Sequence, residues 1–348
     1  MTDLVHDSAT ELARLIATGS VTCTEVMTAT LEQSRRLQPK INAFALLDAD
    51  GALAAAKRAD AVVRSGDPLG PLHGVPFSVK DLIDVKGLET GCGSWLMEGS
   101  VAGDDAESVR RLRSAGALLI GKTTTPEFAG SVLTESLRHG ITANPWNTEH
   151  TPGGSSGGAG AAVASGCAPL GLATDGAGSA RIPASCCGVL GLKPTLGRVP
   201  HPQAPDLFSN FTHIGLMTRT LPDLASMLNV LSGPHDGDPW SLGAQWEDVD
   251  VRPSVGARLR GTSAWYFPRM GNPRVASEVE TLCVRAAQHL AETGVVVEDN
   301  AESLDWGIGV SRTIMRGLMS ARMSQFDAKA RARMGPGMQA AITQGEGM

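Results

Sequence analysis

The chain has 348 residues, 30 Lys and Arg against 36 Asp and Glu, a formal net charge of −6, and 42% hydrophobic residues. That balance suits a globular enzyme of one large domain or two ordinary ones, and not a nucleic-acid-binding surface, which needs clustered basic charge. The N-terminus has no basic n-region or apolar h-region, and no window reaches the roughly 18 apolar residues of a membrane helix, so a soluble, cytoplasmic protein is expected.

Ser8 to Glu11 reads as a capping box opening a helix with the stripe Leu12, Leu15, Ile16, ended by Gly19. Thr22 to Glu25 is a second capping box, whose helix is expected to stop near Gln38, before Pro39. Residues 48–65 are alanine-rich and helical, so residues 1–65 are expected to form an N-terminal helical layer. The run Val75 to Val79 reads as a buried strand ending at Lys80. Helices are then expected over 107–114, 157–165, 222–231 and 275–291, and strands over 117–120, 169–174, 263–267 and 295–297. Arg110, Arg111 and Arg113 read as the exposed face of the first of these helices. The alternation implies an α/β fold with a largely parallel or mixed sheet covered by helices. Residues 233–256 are the loosest stretch, and 337–348 read as an unfinished helix.

Six cysteines (Cys23, Cys92, Cys167, Cys186, Cys187, Cys283) form no CxxC pair, and no histidine cluster has ligand spacing. No zinc site, disulfide framework or cofactor is expected.

Three segments carry chemistry. Around Ser155, the run Gly153, Gly154, Ser155, Ser156, Gly157 precedes a small-residue helix. No lysine follows as a phosphate-binding loop requires, and a dinucleotide-binding fingerprint fails on spacing. The run does match Gly-x-Ser-x-Gly, the nucleophile elbow of α/β-hydrolases, but loop-like residues precede it where that motif expects a strand. Around Ser179, small residues follow an apolar strand from Thr174 to Gly178, a sequence suited to turning successive N–H groups toward one point. Lys80 stands at a strand end, where desolvation lowers a lysine pKa and makes a neutral base at pH 7; the plainer reading pairs it with Asp81 or Asp84.

Taken together, Lys80, Ser155 and Ser179, at intervals of 75 and 24 residues, resemble the amidase-signature family, as do Gly121 to Thr123, Asn144 with Pro145, and Gly188 to Thr195. The resemblance covers roughly residues 8–233 well. It implies a single domain with a central mixed sheet covered by helices on both faces, residues 66–232 being its core. It also implies a Ser–cis-Ser–Lys triad: Ser179 as nucleophile, Ser155 on a cis peptide as proton bridge, Lys80 as base. Gly176, Ala177, Gly178 and Ser179 would supply N–H donors to the oxyanion. Ser156, Asp175 and Arg181 would brace the loops, and Ser131 would bond near Lys80. No metal or cofactor is implied.

The family's chains are longer, so residues 233–348 are expected to be an incomplete C-terminal part. The expected activity is hydrolysis of amide bonds, with esters and carbamates as further substrates and a homodimer as one assembly. Other readings stand beside it: an amidotransferase-type subunit working with a partner, an esterase using Ser155 as nucleophile, a lysine–cysteine site at Cys186 or Cys187, and a degenerate binding protein. For the substrate pocket, Met97, Leu133, residues 202–211 (including Phe208 and Phe211), Met217, Trp306 and Met315 are candidates, with a core role as the simpler reading.

Overall fold

A computed structural model of the chain describes residues 3–204, 210–243, 245–251, 259–300 and 308–346. The chain opens with α1 (Ala9–Ala17), α2 (Cys23–Ile41), β1 (Phe44–Leu47) and α3 (Ala49–Ser65). Next come β2 (Pro76–Lys80), α4 (Glu107–Ser114), β3 (Leu118–Thr123) and the short pair β4 (Glu135–Ser136) and β5 (Gly140–Ile141). They are followed by α5 (Gly157–Ala164), β6 (Leu170–Asp175), α6 (Arg181–Cys187), β7 (Leu190–Leu192), β8 (His213–Thr218) and α7 (Leu221–Leu231). The distal part holds β9 (Ser263–Tyr266), α8 (Ser277–Glu292), β10 (Val296–Asp299), α9 (Ile308–Met323), α10 (Ala328–Arg331) and α11 (Pro336–Glu346).

The second capping box forms: the Thr22 hydroxyl accepts from the Glu25 N–H at 3.0 Å, and the Glu25 carboxylate accepts from the Thr22 N–H at 2.7 Å. The first is only half made. Ser8 caps the Glu11 N–H, but the Glu11 carboxylate turns to Arg14 instead. Pro39 does not end α2, which continues to Ile41 and closes on Asn42 in the left-handed conformation. The Asn42 side-chain amide donates to the carbonyls of His139 and Ile141, so tertiary anchoring outweighs the local preference before proline. Nor are the first 65 residues purely helical, since β1 pairs antiparallel with β3 as an edge of the main sheet. Arg111 is not an exposed residue of α4 either; its guanidinium donates to the carbonyls of Leu231 and Pro234.

The main sheet has the order β1-β3-β2-β6-β8-β7. β3, β2 and β6 run parallel, and the outer pairings are antiparallel, so the sheet is mixed. Its two faces are legible in alternate residues. Leu170, Leu172, Ile214 and Leu216 join the larger core with α1, α2, α3, α4 and α7, while Ala173 and Met217 pack with Ala159 and Val163 of α5. Helices therefore cover both faces, as expected. α5 approaches very closely: a Cβ at Gly171 would meet the Val163 side chain at 2.9 Å.

The distal part is built differently. β9 and β10 form a separate parallel pair bridged by α8, and no residue of α8 is buried. α9 packs against α11, and Met323, Met334, Met338 and Ile342 close over Cys92 and Phe128. Among the described residues, no helix is long and apolar enough to cross a membrane.

Candidate active site

Lys80 ends β2, a strand buried along its whole length. Its Nζ lies 2.7 Å from Ser155 Oγ and 2.9 Å from Thr174 Oγ1, and the side chain is fully buried. Burial lowers its pKa to about 7, against the opposing pull of the Asp175 carboxylate. The pairing with Asp81 is not made. Asp81 turns instead to Lys122, at 3.4 Å, and accepts from the Gly91 N–H.

Ser155 follows a cis peptide bond from Gly154. The loop it sits on tolerates no extra atoms, since a Cβ on Gly154 would lie 2.6 Å from the Val132 carbonyl carbon. Thr134 holds that loop closed: its hydroxyl donates to the Gly153 carbonyl at 2.8 Å and accepts from the Gly157 N–H at 3.0 Å. Ser156 ties the two serine loops together. Its N–H donates to the Ser179 carbonyl at 3.1 Å and its hydroxyl to the Thr174 carbonyl at 3.2 Å.

Ser179 lies in the turn from β6 into α6, and Asp175 at the strand end braces that turn. The Asp175 carboxylate accepts from Gly178 N–H (2.8 Å), Ala180 N–H (3.2 Å) and a two-pronged fork of Arg181 (both 2.9 Å). Burial alone would raise the carboxyl's pKa; Arg181 and the N–H donors outweigh it and hold the group below the usual carboxylate range. Gly178 has φ +104, a conformation other residues avoid, and a Cβ there would meet Ile182 at 2.9 Å. The expected set of oxyanion donors is smaller by one as a result. The Gly178 N–H is already given to Asp175, so Gly176, Ala177 and Ser179 are the remaining N–H groups of the four.

A cavity of about 130 Å³ opens over these groups. Ser155, Thr174, Gly176, Ala177 and Ser179 line one side, and Phe128, Phe211, Met315 and Arg322 are among those on the others. Lys80, Ser155 and Ser179 are thus gathered at one place by the ends of β2 and β6 and the start of α5. Ser131 is not among them: it is exposed, and its hydroxyl accepts from the Leu133 N–H. Thr174 takes the place expected of Ser131 beside Lys80. A signal for it exists in the sequence, because it opens the small-residue run that ends at Ser179.

Of the pocket candidates, Phe211 and Met315 line the cavity, Met217 is fully buried core, Met97 packs in the cluster around Phe128, and Leu133 is exposed. Phe208 and Trp306 lie outside the described residues. Cys187, buried and with its thiol pushed up to about 12, and exposed Cys186 are both absent from the cavity lining.

The chain is similar to known proteins in both sequence and fold. The chain is 39% identical over 300 residues to an acylamidase from Rhodococcus erythropolis, covering 86% of this chain and 62% of that one. It is 36% identical over 329 residues to a glutamyl-tRNA(Gln) amidotransferase subunit from Acidothermus cellulolyticus, covering 94% of this chain and 65% of that one. This chain therefore spans less than two thirds of the length of either relative. Its fold matches the crystal structure of a bacterial aryl acylamidase of the amidase-signature family with a TM-score of 0.87 at 28% identity, over 97% of this chain and 72% of that one. With the Amidase family model matching residues 25–340 as well, the chain belongs to the amidase, or amidase-signature, family.

Proposed function

We propose that this protein hydrolyses carbon–nitrogen bonds of small amides through an acyl-enzyme on Ser179, with esters and carbamates as further substrates. The observation that carries this reading is a fully buried lysine, its pKa lowered by burial to about 7, placed 2.7 Å from a buried serine that shares a cavity with Ser179. Neutral Lys80 takes the proton of Ser155 as Ser155 takes that of Ser179, and the Ser179 oxygen attacks the substrate carbonyl. The N–H groups of Gly176, Ala177 and Ser179 receive the negative charge that develops on the carbonyl oxygen. Collapse of the tetrahedral intermediate breaks the C–N bond, and the proton returns through Ser155 to the leaving nitrogen. Water then attacks the ester by the same relay, releasing the acid and restoring Ser179.

Ser179 rather than Ser155 is the nucleophile in this reading. Both serines line the cavity, but strand β6 runs straight into the turn of Ser179, which is only partly buried, whereas Ser155 is fully buried with its hydroxyl against Lys80. The test is hydrolysis of an aryl acylamide, a p-nitrophenyl ester and an aryl carbamate, with labelling by a serine-directed fluorophosphonate. Turnover and labelling that vanish together in Ser179→Ala are the expected result. Labelling that survives there and is lost in Ser155→Ala would assign the attack to Ser155.

A second reading is favoured by the similarity to the amidotransferase chain. The same acyl-enzyme chemistry applied to glutamine would release ammonia for a partner. Ammonia release from glutamine that appears only with a partner chain would select it.

A further inference from the structure

The cavity over Ser179 has a largely apolar side formed by α9 and two phenylalanines, polar groups that include His201, Gln203 and Thr212, and one arginine. Met315, Leu318 and Met319 come from α9, Phe128 and Phe211 from the body of the fold, and no acidic side chain lines the cavity among the described residues. The arginine is Arg322, near the end of α9. Its guanidinium lies 5.4 Å from the centre of the Phe128 ring, and no Asp or Glu pairs with it among the described residues. Phe128 is itself firmly held. Its backbone is left-handed at φ 48, its N–H donates to the Cys92 carbonyl at 2.8 Å, and its ring packs on Phe326 with centroids 5.7 Å apart. A guanidinium stacked on a ring keeps its in-plane N–H donors available, and that planar fork matches a carboxylate with two parallel hydrogen bonds.

We infer that Arg322 forms an anion subsite in the acyl pocket, so that the preferred substrates are amides whose acyl group ends in a carboxylate. This inference rests on the acyl-enzyme reading above and narrows its substrate class. The cavity is comparable in volume to the roughly 150 Å³ that accommodates a benzene ring in an engineered protein cavity. A short dicarboxylic acyl group therefore suits it better than a long lipid chain. Arg322 is half-buried at the wall, where exchange of the side chain leaves the packed core of the sheet untouched.

The test compares p-nitroanilides of succinic, glutaric and adipic acid with neutral partners in which an isopropyl group of the same shape replaces the carboxylate. The readout is the ratio of kcat/KM within each pair. Wild type is expected to favour the carboxylate member of the best-fitting pair by about tenfold to a hundredfold, the range for hydrogen bonds to a charged group. Arg322→Met brings the ratio to about one, Arg322→Lys keeps part of it, and Arg322→Glu favours an acyl chain ending in an ammonium group. A wild-type ratio near one, or a ratio that survives in Arg322→Met, overturns the subsite while leaving hydrolysis standing. Calorimetric titration of Ser179→Ala with the same glutaryl compounds reads the subsite without turnover. Tighter binding of the carboxylate there, lost when Arg322→Met is added, supports the subsite even if wild type hydrolyses nothing. Equal binding of both compounds overturns it.

Discussion

The two β-units of this chain are built to opposite rules. In the six-stranded sheet, β2, β3 and β6 are buried at every position, and α5 is buried along seven of its eight residues. In the β9–α8–β10 unit no strand residue is buried, and Trp265, Val279, Leu282 and Val296 are all at least half exposed. All three proposed triad residues lie in or beside the first unit, and among the described residues of the distal part only those of α9 reach the cavity. Burial is what lowers a lysine's pKa, and the parallel centre of the sheet, where β2 is buried along its whole length, supplies it for Lys80.

The contrast predicts that substitutions in the main sheet and in the distal unit differ sharply in their consequences. Ser179→Ala is expected to lower kcat by about 10⁴-fold or more, the scale seen when a nucleophile is removed from a serine hydrolase, with the melting temperature unchanged. A rate close to wild type would remove the proposed site from the main sheet. Lys80→Met is expected to lower kcat comparably, since it takes the base from the relay, and unlike Ser179→Ala it also removes the pH dependence of any residual rate.

Core and periphery separate in stability as well. Leu172→Ala, in fully buried β6, is expected to cost about 2–5 kcal/mol in denaturant unfolding. Leu282→Ala, on α8 and 56% exposed, is expected to stay within about 0.5 kcal/mol. A comparable loss at both positions would mean that a further surface covers α8 in solution.

The pH profile sharpens the same contrast. In the proposed relay Lys80 acts when neutral, and its pKa is lowered to about 7. The rate is therefore expected to rise about tenfold per unit up to pH 7 and to level off above it. Stability moves with the same sign. Between pH 7 and the ordinary lysine value, the unfolded chain holds a proton that the folded chain lacks, so this group makes the protein more stable as pH rises. Asp175→Asn is expected to shift the rate limb to lower pH, because the carboxylate favours the charged lysine. Smallest of all, Glu280→Gln breaks an exposed pair with Arg269 on α8 and is expected to leave the melting temperature unchanged.

Much of the sheet's interior was legible because packing and local pattern agree there. The helix Glu107–Ser114 matches its expected bounds to the residue, and Lys80, Ser155 and Ser179, the three positions picked out by the family resemblance, lie together in the structure. β8 was missed although it sits inside the sheet. Its sequence, His-Ile-Gly-Leu-Met-Thr, is buried on both faces, so it carries no alternation, and its glycine resembles a turn. β1 was absorbed into the helices on either side of it. Ser131 was misplaced because closeness in a motif does not fix where a hydroxyl points; the buried Thr174 stood nearer the base. Arg322 had no motif, because its position depends on how α9 crosses Phe128, and that is decided by tertiary packing alone.

The helix that follows Ser155 is defined by atoms it does not have. A Cβ on Gly158 would lie 2.4 Å from the Thr124 hydroxyl and 2.6 Å from the Ala43 carbonyl oxygen, and one on Gly157 would strike Thr134 at 2.2 Å. Mutational change at these positions is closed off: nothing smaller exists, and nothing larger fits. Diversification toward new substrates must therefore run through the other side of the cavity. The half-buried Met315, Leu318 and Met319 of α9 can change size and shape there without disturbing the serines. In evolutionary terms, the glycines behind Ser155 are frozen while the α9 side of the cavity is free to drift.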